Sequence, residues 1–527
     1  MAHIWAKPGV APVGAAVLTL SGLIGCPAAA GDGPPAARPE SAVPTSGTSA
    51  SATVVRPPVW KRCTGLPEPP PDAKTPRSAF RCTTLKVPLD HADPSGRTIE
   101  IALVKVPATD ARNRIGSLLF NFGGPGGDGV GTLAQTADGY AGLRARYDLV
   151  AFDPRGVGRS TPVTCVGDRR MDELVALDDS PDTAAEEKAF IDGRVAFARG
   201  CATRSGDLLP HVGTLDAARD LELIRSALGD EKLHYFGISY GTWLGGVYAR
   251  RFPGRVGRAV LDAGVDTEIS AVDFALQQAA SFQRALGRFG AACARLGRKH
   301  CPMGSDGPSV VRSVGRFLDR LDRRPLPASG HRKLTQSLAT TAVAAGLYSR
   351  AAWPYLAQGL ADAVKRRDGS LLLLLADVQN GRNDDGTYTN LTAANTAITC
   401  ADIADRPGPQ DVRRLLPKFR AVSPVFGTSM AWGLLQCAGW PVKGDDASRE
   451  VAAPSAPPIL VVGTTGDPAT PYAWASALTR NLGGRARLLT FEGYGHGAYD
   501  TGDPCVRRTV NAYLLQGTVP AAGATCR

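Results

Sequence analysis

Gly237-Ile238-Ser239-Tyr240-Gly241 follows the apolar run Leu233-His234-Tyr235-Phe236 without a break, and a helical pattern starts just after Ser239. A serine with glycines two before and two after marks a strand-to-helix turn too tight for bulky neighbours, and strain in that turn presents the hydroxyl at the edge of a sheet. With 60 glycines in the chain the bare pattern arises easily by chance. The strand-turn-helix setting is what makes Ser239 a candidate nucleophile.

Working outward, Thr84 to Val87, Thr98 to Val106, Gly116 to Phe122 and Tyr147 to Phe152 read as strands before the motif. Val256 to Leu261, Pro458 to Val462 and Ala486 to Phe491 read as strands after it. Leu215 to Leu228 has a helical period, with Leu221, Ile224 and Leu228 on one face. Strands alternating with helices imply an α/β fold: a mainly parallel central sheet with helices on both faces. Between about Asp266 and Asp445 the strand pattern lapses in favour of Ala- and Leu-rich helical stretches such as Thr340 to Gln358 and Ser370 to Val378, the candidate helical lid.

A serine is a weak nucleophile without a base in hydrogen-bond reach and a carboxylate to orient that base. Of the histidines downstream of Ser239, His300 and His331 fall in polar stretches of the lid, whereas His496 sits in Gly493-Tyr494-Gly495-His496-Gly497, just past the last strand. His234 lies inside a strand, where it packs. Asp467 ends the buried run Pro458 to Val462 and its following turn, at the carboxyl end of a strand where catalytic groups gather. The expected triad is Ser239, Asp467 and His496. A turn-forming Asp before Pro468 is the alternative reading of Asp467.

Acyl transfer also needs N–H donors aimed at the developing oxyanion. The loop Gly123-Gly124-Pro125-Gly126-Gly127-Asp128-Gly129 lets the backbone approach, and because Pro125 has no N–H, the expected donors are Gly124 and Tyr240. A phosphate-binding loop is the rival, but no Lys-Ser or Lys-Thr follows the glycines and no acidic residue completes a dinucleotide fingerprint. No cofactor is expected. Asp153 and Arg155, in Asp153-Pro154-Arg155-Gly156, suit bracing of these loops better than catalysis.

Val13 to Ile24 is apolar but shorter than the roughly 20 residues a membrane span needs. It ends in Leu23-Ile24-Gly25-Cys26, which resembles a bacterial lipobox. Residues 1–25 thus read as an export signal, of lipoprotein type with Cys26 diacylated or of the ordinary secretory type. Residues 26–58, rich in Pro, Ala, Ser and Thr, read as a flexible tether. Beyond it we expect a core in two parts, 59–265 and 446–527, separated by the lid at 266–445.

Of eleven cysteines, Cys26 would carry lipid, leaving an even ten in a chain bound for an oxidising compartment. Joining neighbours gives Cys63–Cys82, Cys165–Cys201, Cys293–Cys301, Cys400–Cys437 and Cys505–Cys526, one connectivity among many. No CxxC occurs and the seven histidines are dispersed, so no metal site is expected. The +11 charge is scattered, without a dense basic run or interleaved aromatics, which argues against nucleic acid as a partner.

Seven motifs in order carry a resemblance over nearly the whole mature chain: Val87-Pro88-Leu89-Asp90, Gly123-Gly124-Pro125-Gly126, Asp153-Pro154-Arg155-Gly156, Gly237-Ile238-Ser239-Tyr240-Gly241, Ile398-Thr399-Cys400-Ala401-Asp402, Asp467-Pro468-Ala469-Thr470-Pro471 and Gly495-His496-Gly497. The chain resembles the secreted tripeptidyl aminopeptidases of the α/β-hydrolase fold, relatives of the proline iminopeptidases. The resemblance implies a serine exopeptidase releasing short peptides, often tripeptides, from free N-termini beneath a helical lid. Asn121-Phe122 stands where proline iminopeptidases usually carry His, which weakens a proline-specific reading. An aminopeptidase needs a group for the substrate ammonium, and Asp402 in the lid is the candidate, with a structural Asp the alternative. An esterase or lipase using the same triad, and a binding lipoprotein that has lost catalysis, are the competing functions.

Overall fold

The central strands form where apolar residues run unbroken between turns, and more polar strands flank them. In the computed structural model, which describes residues 57–527, they are β1 Lys61–Arg62, β2 Arg81–Pro88, β3 Thr98–Val106, β4 Gly116–Asn121, β5 Tyr147–Phe152, β6 Leu233–Ile238 and β7 Val256–Asp262. A separate pair, β8 Leu326–Pro327 and β9 Lys333–Leu334, precedes β10 Ile459–Gly466, β11 Arg487–Tyr494 and β12 Thr525–Cys526. Cys26, the export segment and nearly all of the tether lie outside the described residues.

Ten strands form one sheet in the order β1-β2-β3-β5-β4-β6-β7-β10-β11-β12. The pairs β1/β2, β2/β3 and β3/β5 are antiparallel and all the others are parallel. Every residue of β4 and β5 is buried, as the interior of a two-sided sheet requires.

The first seven strands are joined through α1 Gly129–Thr136, α2 Ala141–Arg144, α3 Asp168–Val175, α4 Ala184–Ser205, α5 Thr214–Ala227 and α6 Tyr240–Arg251. Between β7 and β10 come α7 Ala271–Arg295, α8 Gly307–Arg323, α9 Gln336–Leu347, α10 Trp353–Lys365, α11 Ser370–Asn380, α12 Leu391–Asp402, α13 Pro409–Val422 and α14 Gly427–Gly433. The chain closes with α15 Tyr472–Leu482 and α16 Pro504–Gln516. Leu221, Leu244 and Leu478 of α5, α6 and α15 pack on one face of the sheet. Leu133, Leu143 and Val510 of α1, α2 and α16 pack on the other. This is the α/β-hydrolase arrangement.

Two features depart from the sequence reading. The helix expected over Thr340 to Gln358 is broken: α9 stops at Leu347, a 3-10 turn covers Arg350–Ala352, and α10 restarts with Pro354 in its first turn. Proline lacks the N–H that a helix interior needs but is tolerated at a helix start. The second departure is the roof over the sheet, to which α3 and α4 contribute along with the helices between β7 and β10. Asp172 of α3 receives Arg382 Nε at 2.8 Å and the Tyr388 hydroxyl at 2.8 Å, Ser180 donates to Gln336 at 2.7 Å, and Phe190 of α4 packs edge-on against Trp432.

The five neighbouring cysteine pairs are the five disulfides of the structure. Cys165–Cys201 ties the loop before α3 to α4, and Cys400–Cys437 ties α12 to the segment after α14. Arg155 is fully buried, bonded through Nε and Nη2 to Asp220 at 2.7 Å each and to the carbonyls of Pro88, Leu89 and His211. Burial by itself would raise the Asp220 pKa, but the Arg155 charge outweighs it and holds the carboxyl below its ordinary value. Asp153 accepts the N–H groups of Val130 and Arg159 at 2.9 and 2.8 Å. These two residues join the ends of β2 and β5 to α1 and α5.

Candidate active site

The turn after β6 is built by steric necessity. A Cβ on Gly237 would lie 2.3 Å from the Gly241 carbonyl oxygen, and one on Gly241 would lie 2.5 Å from that of Asn121. Ser239 itself is held at φ 57°, ψ −122°, as the cap residue before α6. That conformation costs a non-glycine residue on the order of 1–3 kcal/mol and persists only when its surroundings over-determine it. Here the Ser239 N–H donates to the Asp262 carbonyl at 3.0 Å, and its own carbonyl accepts the Thr242 hydroxyl at 2.7 Å. Ser239 is 3% exposed at the carboxyl end of the parallel strands.

The glycine loop after β4 lies directly on this turn. A Cβ on Gly123, at φ 94°, would meet the Ile238 carbonyl oxygen at 2.6 Å and Ser239 Cβ at 3.0 Å. The Gly123 N–H is taken by Asn121 Oδ1 at 3.0 Å and that of Gly127 by the Gly123 carbonyl at 3.2 Å. The N–H of Tyr240 opens the first turn of α6, where no intrahelical acceptor exists and the helix dipole favours negative charge. The Pro125 carbonyl accepts Asn395 Nδ2 at 3.0 Å, which fixes the loop to α12.

On the far side of the sheet's edge, β10 delivers Asp467. Its Oδ1 accepts the N–H groups of Ala469 and Thr470 at 2.8 Å each, and its Oδ2 accepts the Thr470 hydroxyl at 3.0 Å. His496 Nδ1 lies 3.0 Å from both oxygens. With Nδ1 carrying the proton toward the carboxylate, Nε2 is left as the basic nitrogen. It is buried and has no hydrogen-bond partner among the described residues. The His496 N–H donates to the Tyr348 carbonyl at 2.8 Å, and the Tyr348 ring meets the imidazole edge-on at a centroid distance of 5.3 Å.

Asp262, the last residue of β7, ties the two halves together. Its carbonyl holds Ser239, and its buried carboxylate accepts the N–H groups of Ala498 and Tyr499 at 2.8–3.0 Å, just beyond His496. Sequence reading missed Asp262, Thr470 and Tyr348. Asp262 carried the same signal as Asp467, an acidic residue ending a buried strand; nothing local marked the other two.

Burial works against an imidazolium at His496, but the Asp467 charge and hydrogen bond, with the Asp262 charge behind them, outweigh it and raise the His496 pKa above 6.5. A general base must be neutral, so kcat/KM on any substrate using it is expected to rise with pH to a plateau, with its midpoint above 6.5. A pH–rate profile of the free enzyme checks this, and a midpoint below 6.5 would contradict it. In stability the sign is opposite. A raised histidine pKa favours the folded state at acidic pH, and that contribution fades as pH rises through the folded value.

A cleft of roughly 820 Å3, open mouth included, lies over Ser239 and is walled by Gly124, Tyr240, Trp243, Phe274, Asn395 and Thr470. Asp402 also lines it but is 3% exposed, and its two oxygens accept the Thr214 N–H and hydroxyl. Burial pushes this carboxyl up to about 7. His300 and His331 are exposed in the inserted region, and His234 packs edge-on against Tyr147 in the sheet.

Residues 423–526 match the family model described as TAP-like protein. The serine protease Hip1 of Mycobacterium tuberculosis is 38% identical over 475 residues, covering 86% of this chain and 89% of Hip1. Carboxylesterase B of the same species is 35% identical over 539 residues and covers both chains completely. Tripeptidyl aminopeptidase of Streptomyces lividans is 31% identical over 482 residues, 89% of this chain and 86% of that protein.

Proposed function

The chain belongs to the family of Hip1 and the tripeptidyl aminopeptidases, and from that premise we propose that it is an exported serine exopeptidase releasing short peptides, tripeptides foremost, from free N-termini. The observation that supports its serine-hydrolase part is the Asp467–His496 bond, while the exopeptidase part draws on the likeness to Hip1 and the tripeptidyl aminopeptidases. The bond leaves a buried, unpaired Nε2 on a loop clamped by Asp262 to the same strand end as Ser239.

In this reading Ser239 Oγ attacks the peptide carbonyl while His496 Nε2 takes its proton. The N–H groups of Gly124 and Tyr240 and the N-terminus of α6 stabilise the oxyanion. His496 then protonates the departing amine and activates the water that hydrolyses the acyl-enzyme. The helices between β7 and β10 act as the lid, and no step calls for a cofactor. The five disulfides suit an oxidising compartment. Among the described residues no helix is long and apolar enough to cross a membrane. Anchoring through a lipid on Cys26, or release from the cell, completes the proposal.

An esterase is the second reading, favoured by the full-length likeness to carboxylesterase B. Hydrolysis of a tripeptide anilide and of its N-acetylated twin separates the two. The exopeptidase is expected to cleave the free form at least about tenfold faster, the value of one charge-assisted hydrogen bond. Equal rates would defeat it in favour of a broader esterase or endopeptidase.

A further inference from the structure

The roof encloses a second cavity that the reaction above leaves unused. Of roughly 1340 Å3, mouth included, it lies between α3–α4 and the helices inserted after β7, and its wall is largely apolar, with Phe197, Phe282, Phe426 and Met430 prominent. Tyr348 is part of the same wall, and the other side of its environment is the His496 ring. The chamber is therefore one aromatic ring away from the imidazole.

Two charged side chains line it: Asp179, from the segment between α3 and α4, and Arg194 of α4. Asp179 Oδ1 is shielded from solvent and has no hydrogen-bond partner among the described residues. The Arg194 guanidinium lies over the Phe190 ring at 4.9 Å, and it acts on Asp179 through its charge. Burial, reinforced by the charge of Asp178, pushes the Asp179 carboxyl up to about 7. Asp179 and Arg194 attract one another through their charges but share no hydrogen bond, and a buried carboxylate oxygen left without a donor costs stability. A ligand that offers a donor to the first and an acceptor to the second would offset that cost.

A peptide's free N-terminus offers both in adjacent positions, an α-ammonium and the first carbonyl oxygen. We propose that this chamber anchors the substrate's N-terminus, with the ammonium on Asp179, the first carbonyl on Arg194 and an apolar first side chain among Phe282, Phe426 and Met430. The inference rests on the exopeptidase reading and deepens it. It places the ammonium site at Asp179 in preference to Asp402, whose oxygens Thr214 already occupies.

The test is calorimetric titration of the Ser239→Ala protein with phenylalanyl-alanyl-alanine amide and with its N-acetylated twin. The parent variant is expected to bind the free form at least about tenfold more tightly. Adding Asp179→Asn should erase that preference and leave the acetylated peptide's affinity unchanged. A preference that survives Asp179→Asn overturns the chamber while sparing the exopeptidase reading. Absence of any preference in the parent variant defeats the exopeptidase reading itself. If Asp179→Asn abolishes the cooperative melting transition, Met430→Trp, which fills the chamber without touching the charges, takes its place. Loss of tight binding of the free peptide then supports the proposal, and unchanged affinity overturns it.

Discussion

Ser239→Ala is expected to lower kcat on a free tripeptide anilide by about five orders of magnitude or more, and to abolish labelling by a fluorophosphonate probe. The substitution removes one oxygen and keeps the Cβ, so the turn between Gly237 and Gly241 has no new space to collapse into. The bonds that hold the strained φ run through the backbone: the Ser239 N–H to Asp262 and its carbonyl to Thr242. Folding and thermal stability should therefore change little, which makes the kinetic loss a statement about chemistry. Residual turnover of about 10^3–10^4 over water is expected from the oxyanion donors and binding alone. Retained labelling in the variant would place the nucleophile elsewhere, and undiminished hydrolysis would remove Ser239 from the mechanism.

The parts of this molecule legible in the sequence are those fixed by local rules. The glycine at 237 is required by the Gly241 carbonyl four residues on, and β4 and β5 announce themselves as unbroken apolar runs because both faces are covered, whereas the glycine at 241 answers to the distant Asn121. Asp467 and His496 each end a strand, so their chain order and position sufficed to pair them as a hypothesis. The contribution of α3 and α4 to the roof left no such trace. It depends on Asp172, Ser180 and Phe190 meeting residues 382, 336 and 432, partners more than 150 positions away that no periodicity reveals. Asp402 illustrates the converse. Its motif drew attention to it, but only the fold shows that Thr214 of α5 occupies its carboxylate. The break between α9 and α10 has a local mark in Pro354, which the continuous Ala- and Leu-rich pattern around it conceals.

Asp467→Asn is expected to lower kcat by about 10^4-fold, because the loss lies in the imidazole tautomer and not in the packing. The amide oxygen can still accept from Ala469 and Thr470, so the turn after β10 keeps its shape. Its NH2 group, however, would face His496 Nδ1, where a donor forces the ring proton onto Nε2 and removes the lone pair that Ser239 needs. The carboxylate charge is also what lifts the His496 pKa against burial. Its removal should therefore bring the midpoint of the residual pH–rate profile down. Asp262→Asn supplies the control. That carboxylate, pushed up to about 6 by burial, accepts the N–H groups of Ala498 and Tyr499 and makes no hydrogen bond to the imidazole. The variant should lose thermal stability while retaining kcat within about tenfold, since what it disturbs is a loop held by hydrogen bonds worth on the order of 1 kcal/mol each. A 10^4-fold fall in the Asp262 variant with a mild effect at Asp467 would exchange their roles. The acid would then belong to the strand that precedes the inserted helices and not to the one that follows them.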